Sequence, residues 1–397
     1  MKLLFYRYGS ICEPDIIEAF HELGFEICEL SHEIYSKTTT PAENIRRLSS
    51  YLLDHPADLV FSINFYHFIA EVCHIFHLKY LCWIVDSPVL ELYTTSIQHD
   101  TNRVFLFDQA IYREIAPLNP GHIFHLPLAT NVRQKDDLLA HTSPTECSRF
   151  AAEVSFIGSL YTEKCAYDQL NHPPAYLKGY LDGLLQAQLL VYGCYFVEEL
   201  LTDDITAEFK RHFPEFFQLP GDNFLSDRAT LAQLYIGPKI TVLERDRIMS
   251  QLSKKFPLSI YTASDTTRYP KIKNCGLAKT LTEMPIIFNQ SRINLNTTAK
   301  SIRSGLPLRI WDILGSGGFC ITNYQAELPD YFSIGEHLEV YTCLDELEEK
   351  ITYYLSHDSK RREIAQTGYE YVKSHHTYTI RLTQMLELAF NLNQEVL

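Results

Sequence analysis

Between Lys2 and Leu126 the apolar residues come in short unbroken runs, separated by stretches with helical spacing. The runs Lys2–Tyr6, Phe25–Leu30, Asp58–Ile63, Tyr80–Val85, Arg103–Phe107 and Ile123–Leu126 do not alternate apolar with polar, which predicts strands covered on both faces. Helical spacing at Pro14–Leu23, Ala42–Leu53, Tyr66–Phe76, Val89–Ile97 and Ala110–Ile115 fills the gaps. Strand and helix alternating over short links predict a parallel, doubly wound sheet. Ligands of such sheets bind beyond the carboxyl ends of the strands, which singles out Tyr8–Asp15, Asn64–His67, Asp86–Ser87 and Asp108.

The pattern then breaks. Thr130–Arg149 is polar and reads as a linker, placed at 132–152 between a first domain at 1–131 and a second at 153–397. The second domain opens with a strand at Val154–Gly158, passes through a long helical stretch from Tyr161 to Lys255, and returns to strand at Leu258–Thr262. Further strands are predicted at Ile293–Asn296, Phe319–Thr322 and Leu338–Tyr341, and amphipathic helices at Asp358–Ser374 and Thr379–Leu392.

The richest stretch is Ile302–Glu327. Gly305 and Pro307 are expected to open a helix, with proline tolerated in the first turn, and Gly315, Gly317 and Gly318 to end it before a short buried strand. Free N–H groups at that helix start, joined by Arg303 and Arg309, make a favourable seat for a phosphate. Asp312, one turn in, has the chemistry to accept hydrogen bonds from a ribose, although a plain α/β unit with a glycine cap accounts for the same pattern.

The run G-L-P-L-R-I-W-D-I-L-G-S-G-G-F-C-I-T-N-Y-Q at Gly305–Gln325 resembles the C-terminal half of the CgeB-type spore-maturation glycosyltransferases, within the wider group of GT-B-fold, nucleotide-sugar-dependent enzymes. The likeness continues through His337–Tyr341, the helix at Asp345–Leu355 and H-H-T-Y-T-I-R-L at His375–Leu382. F-Y-R-Y-G-S-I-C-E-P-D, F-S-I-N-F, C-W-I-V-D-S-P and L-P-L-A-T-N in the first third are similar to the domain of unknown function that often precedes that half. The resemblance implies an α/β, GT-B-like fold of two Rossmann-like domains facing a cleft. One helix would ordinarily link the first two strands of such a C-terminal domain, so residues 160–255 read as a helical insertion, either core thickening, a homodimer surface or an acceptor-recognition element. Many retaining members carry two glutamates eight positions apart; here Asp312 holds the later place and Ser304 the earlier, so retention is not supported.

On that resemblance a nucleotide-sugar donor, expected to be UDP-linked, would lie on the C-terminal domain. Gly158 and Ser159 would let backbone approach the diphosphate, with Ser304, Gly305, Leu306 and Pro307 beside Arg303 and Arg309, while Asn296 and Asp312 meet the nucleoside and Asn323 and Tyr324 the sugar. The acceptor, a protein or an envelope glycan, would approach the first domain. There Asp86 is the first candidate base, with His67 and Glu13 behind it. Each has a plainer reading as a helix cap or loop residue. A zinc set of His67, Glu71 and His74 shares one helix face but lacks a further ligand cluster. No D-x-D triplet occurs, so metal-independent transfer without any cofactor is expected, the diphosphate being held by a helix start and arginines. Rival readings are a non-catalytic scaffold of the same fold and a sugar-nucleotide epimerase.

Composition narrows this only slightly. The 397 residues are 46% hydrophobic and carry a net charge of −14, which disfavours nucleic acid as a partner. Ten cysteines without C-x-x-C spacing suggest small buried hydrophobes in a reducing, cytoplasmic setting. No apolar run is long enough for a membrane span, and M-K-L-L-F-Y-R-Y reads as a strand rather than a signal peptide.

Overall fold

The computed structural model describes residues 1–36 and 39–391 and divides into two compact units. Unit 1 comprises Met1–Thr130, Leu219–Leu225 and the chain from His376 onward; unit 2 comprises Asn131–Gln218 and Ser226–His375.

In unit 1, β1 (Lys2–Tyr6), β2 (Glu26–Leu30), β3 (Leu59–Ile63), β4 (Lys79–Ile84), β5 (Asn102–Leu106) and β6 (Ile123–His125) form one parallel sheet in the order β2-β1-β3-β4-β5-β6. The unbroken apolar runs are buried as their composition requires, with all five residues of β3 inaccessible. The helix expected at Val89–Ile97 is instead two short 3-10 turns, Leu90–Tyr93 and Thr95–Gln98. The last helix, Tyr378–Phe390, packs on the first, Glu13–Glu22. It is tied down by Trp83 against Tyr378, by Arg103 Nε donating to the Ala389 carbonyl at 2.9 Å, and by Thr379 Oγ1 donating to Glu22 at 2.6 Å. Leu392, expected to close that helix, lies outside the described residues.

In unit 2, β7 (Ala152–Ile157), β8 (Leu258–Tyr261), β9 (Lys273–Asn274), β10 (Ser291–Asn296), β11 (Cys320–Asn323) and β12 (Glu339–Tyr341) form a second parallel sheet, in the order β12-β11-β10-β7-β8-β9. The chain runs outward from β7 in one direction through β8 and in the other through β10, so the topological switch point lies between β7 and β10. The two-residue β9 is exposed and polar and gave no apolar signal.

The expected linker is not one. Residues 132–152 form the helices Val132–His141 and Pro144–Phe150 and the start of β7, all within unit 2. Asp136 accepts hydrogen bonds from the Tyr369 hydroxyl at 2.8 Å and Lys373 Nζ at 3.1 Å, fixing the first of these helices to the Asp358–His375 helix. The helical insertion is largely as expected, with helices Ala175–Leu189, Asp203–His212 and Gly237–Leu252 around their own apolar cluster. One piece departs: Leu219–Leu225 belongs to unit 1, where Phe224 N–H donates to the Tyr93 carbonyl at 2.7 Å and Thr94 bridges Asn223. All ten cysteines are free thiols. Among the described residues no helix is long and apolar enough to cross a membrane.

Candidate active site

In unit 1 the strand ends at the β1/β3 switch point bring three side chains together. The Tyr8 hydroxyl donates to Asp86 Oδ2 at 3.1 Å, and Asn64 Nδ2 donates to the same oxygen at 2.7 Å and to the Tyr8 oxygen at 3.0 Å. Asn64 Oδ1 in turn accepts the Val85 and Asp86 N–H groups at 3.0 and 3.2 Å. To do so Asn64 takes φ 61°, a left-handed conformation that asparagine tolerates better than most residues. The Asp86 carboxylate is therefore exposed, with one oxygen aimed by two donors. It caps no helix, because the turn that follows starts only at Leu90, after a cis Ser87-Pro88 bond. Burial and the nearby Asp86 charge both push the Tyr8 pKa up, so Tyr8 stays a protonated donor.

The other two unit 1 candidates have different surroundings. Glu13 is fully buried; its Oε1 accepts the N–H groups of Tyr8, Gly9 and Ser10 at 2.9, 2.8 and 3.0 Å, and its Oε2 accepts Arg7 Nε at 2.9 Å. These four donors take up both of its oxygens and leave neither facing a substrate. Glu13 shapes the loop after β1, and the expectation of a catalytic Glu13 is corrected accordingly. His67 begins the helix His67–Ile75 and bonds Ser96 Oγ through Nδ1 at 2.8 Å, away from the Asp86 group's hydrogen-bond network. Glu71, its partner in the supposed zinc set, has Oε1 3.8 Å from His67 Nδ1 and 3.1 Å from His99 Nε2. Among the described residues no three His, Cys, Asp or Glu side chains are placed to hold a metal ion.

In unit 2 the switch point is crossed by a residue the sequence did not suggest. Arg245, on the helix Gly237–Leu252, sends its guanidinium to the ends of both β7 and β10. Nε donates to Thr297 Oγ1 at 2.9 Å, Nη2 to the Thr297 carbonyl at 2.7 Å, and Nη1 to the Ser159 carbonyl. Its face covers the Tyr161 ring, 4.7 Å from the centroid, and Tyr161 holds φ 67°. Gly158 and Ser159 leave the end of β7 at this switch point, the Gly158 N–H donating to the Tyr261 carbonyl at 3.1 Å. Asn296 donates to Thr322 Oγ1 at 2.8 Å and Thr298 Oγ1 at 3.2 Å; Asn323 Oδ1 accepts the Thr298 N–H at 2.7 Å. Both asparagines are buried and brace the loop after β10. Tyr324 lies under the insertion, its ring where a Cβ on Gly193 would fall.

The helix start differs from expectation. The helix is Leu308–Gly315, and Pro307 is its N-cap residue, with ψ 155°, rather than part of its first turn. The loop before it is turned inward: the Ile302 and Gly305 carbonyls accept Gln325 Nε2, the Ser304 carbonyl the Glu327 N–H, and the Leu306 carbonyl Trp311 Nε1. The Leu306 side chain is core, so only its backbone faces the loop. Arg303 is paired with Glu198 of the insertion at 3.1 Å, which diverts it from the phosphate seat. Arg309 lies over the Phe288 ring, 5.5 Å from the centroid. Burial lowers its pKa; Asp312 opposes that shift and Arg245 adds to it, so the two guanidinium groups repel each other.

Asp312 is not the unengaged ribose acceptor expected. Its carboxylate lies 3.1 Å from Lys135 Nζ, delivered by the first helix of the supposed linker. At the place where a glutamate would stand, the Ser304 hydroxyl donates to Glu327 Oε1 at 2.7 Å, and Glu327 is 2% exposed. A carboxylate thus reaches that position from a different residue, which motif spacing cannot reveal. Asn294 accepts from Ser155 and donates to the Phe288 carbonyl inside the sheet, and Lys279 is exposed at the surface.

Comparison with known proteins fits this geometry. Residues 245–387 match the family described as "Glycosyl transferase-like". HepE from Anabaena, solved in complex with UDP, is 10% identical with a TM-score of 0.55 over 98% of this chain and 99% of that one. Sucrose-phosphate synthase from Thermosynechococcus elongatus is 10% identical, with a TM-score of 0.55 over 100% of both chains. A glycosyltransferase from Rickettsia africae is 11% identical, with a TM-score of 0.53 over 99% and 98%. No curated protein sequence matches. The chain thus has the two-unit α/β architecture of GT-B proteins, and its glycosyl transferase-like segment begins at Arg245, the residue that spans the unit 2 switch point.

Proposed function

We propose that the protein is a glycosyltransferase that takes a sugar from a nucleotide-sugar donor, UDP-linked, held on unit 2. The observation that carries this reading is Arg245, buried across the β7/β10 switch point, with the half-buried Arg309 close enough to repel it. Two cations that repel each other in a protein interior are costly even with Asp312 offsetting one of them, and an anion between them relieves that cost. Backbone N–H groups at the start of the helix Leu308–Gly315 would supply neutral donors, and Gly158 would let backbone approach closely. Developing charge on a leaving diphosphate would then meet fixed cations, and transfer is expected to proceed with EDTA present.

On unit 1 we assign the acceptor's proton to Asp86. Tyr8 and Asn64 occupy Oδ2, which aims the carboxylate and leaves Oδ1 to accept from a hydroxyl. The acceptor class proposed is a protein or envelope glycan, by analogy with the resembling family. Replacement of a carboxylate by Ser304 was the feature favouring a non-catalytic scaffold. Glu327, hydrogen-bonded to Ser304, supplies a carboxylate there and weakens that reading.

A thermal-shift screen against UDP, GDP, CDP, ADP and their sugar conjugates, with and without EDTA, tests the proposal. A ligand selective for the folded state raises the melting temperature by mass action. A shift with the uridine series, unchanged by EDTA and followed by slow release of sugar from that conjugate, is expected. Absence of a shift with every nucleotide would sink the donor site.

A further inference from the structure

The helical insertion meets the end of β12 around a cavity of about 290 Å³, wholly within unit 2. Its walls come from three places. Leu189 and Tyr192 end the helix Ala175–Leu189 and the turn after it, Glu244 and Arg247 come from the helix Gly237–Leu252, and Thr342 and Asp345 leave β12 and enter the helix Leu344–Ser356. The arginine pair and the Ser304–Glu327 contact are not part of it. It lies at the carboxyl end of the sheet, where ligands of doubly wound sheets bind, but at the far edge strand rather than at the switch point.

The lining selects a chemistry. Glu244 is 2% exposed; Lys300 Nζ stands 3.2 Å from its Oε1, yet no donor is aligned for a hydrogen bond with either oxygen. Lys300 Nζ also sits over the Tyr192 ring, 4.6 Å from the centroid, so the counter-charge is already in place. Burial, then the Glu244 charge, raise the Tyr192 pKa, and its hydroxyl stays a donor. Arg247 gives one of its N–H groups to Gln186 and has others to spare. Thr342 Oγ1 donates to Glu346 at 2.8 Å, which leaves its lone pairs to accept. Asp345 adds an exposed carboxylate.

Two carboxylates and two cations around the cavity, Glu244 with Lys300 and Asp345 with Arg247, give a polyanion no net attraction. A divalent ion lacks a set of three ligating side chains among the described residues. Donors and acceptors spaced around one aromatic ring and three leucines, Leu189, Leu190 and Leu344, suit a ligand with a C–H face and a rim of hydroxyls. The volume is near the lower end, roughly 300 Å³, of small-molecule sites. We propose that this cavity is a saccharide subsite for one or two sugar units, separate from the donor site and built by the insertion. The sugar has two possible sources, the end of the acceptor glycan or a free sugar acting as an effector; only the first rests on the transferase reading.

Saturation-transfer NMR with glucose, galactose, N-acetylglucosamine and maltose tests the site on the full chain. Arg247→Ala and Asp345→Ala, singly and together, alter a half-buried and an exposed group outside the core, and the UDP thermal shift of each sample reports folding and the donor site independently. We expect at least one sugar to receive saturation, with its Kd raised at least five-fold in the double variant and the UDP shift unchanged. No transfer to any sugar, or equal transfer in the double variant, overturns the subsite. Failure of UDP to bind while sugars do would sink the transferase reading alone. With donor added, mass gain on the bound sugar identifies the acceptor source, and an unmodified sugar that changes the donor-hydrolysis rate identifies the effector source.

Discussion

Asp312→Leu tests how the helix at the candidate site is held. Its carboxylate and Lys135 Nζ are 3.1 Å apart, with side chains 17% and 6% exposed, so both charges are largely out of water. Removing one member of such a pair costs about 3–5 kcal/mol, because the other charge is left uncompensated. The two single variants should differ. Asp312 also offsets the buried Arg309, so Asp312→Leu strands two cations, whereas Lys135→Met leaves a carboxylate that still has Arg309 beside it. We expect a loss of about 5 kcal/mol for Asp312→Leu and about 3 kcal/mol for Lys135→Met. The double variant should cost less than the sum by about 2 kcal/mol, since the apolar pair no longer buries an unpaired lysine. A two-unit chain need not melt in one step, so the readout is hydrogen exchange of the Leu308–Gly315 amides at increasing urea rather than a single melting curve. Equal single losses, or a double variant additive to within about 0.5 kcal/mol, would refute this account of the charges.

Three further outcomes are expected. Arg245→Ala should raise the UDP Kd at least ten-fold (about 1.4 kcal/mol) and loosen the Ser159 and Thr297 loops in hydrogen exchange; an unchanged Kd by calorimetry would remove its anion role. Asp86→Asn should lower transfer by about 10²–10⁴-fold with donor binding intact, as expected for loss of a general base, while Tyr8→Phe, which leaves Asn64 in place, should cost far less; full activity of Asp86→Asn would sink it as the base. Gly318→Ala should destabilise unit 2 by about 1–3 kcal/mol, since a Cβ there would stand 2.7 Å from the Phe288 carbonyl oxygen and 2.8 Å from Asn294 Nδ2; a melting temperature equal to that of the parent would contradict the close approach.

Much of the fold was legible because parallel strands buried on both faces leave unbroken apolar runs. β1 was expected at its observed bounds, and most other strands within one or two residues. β9 was not legible, because a two-residue exposed edge strand needs no apolar residues. The linker was misread for a different reason. S-P-T-E at 143–146 is a capping box, with Ser143 and Glu146 bonding each other's backbone, and the polar composition was that of an amphipathic helix. The candidate site was legible where it lies on strand ends, at Asp86 and Gly158, because topology alone points there. Arg245, Lys135 and Glu327 were not. Arg245 and Lys135 arrive from distant parts of the chain and Glu327 from beyond β11, and nothing in the local spacing of an arginine on a long helix says which loop it will reach.

Segments assigned to unit 1 stand at both ends of the chain, with almost all of unit 2 between them. During synthesis the surface around Trp83 and the first helix therefore waits for Tyr378–Phe390 while everything from Asn131 to His375 is made. At usual elongation rates that interval is on the order of tens of seconds. The unit 1 sheet leaves the ribosome before unit 2 yet would be completed after it, and for that time a chaperone would be the available cover for its Trp83 face, because Leu219–Leu225 packs on the other face.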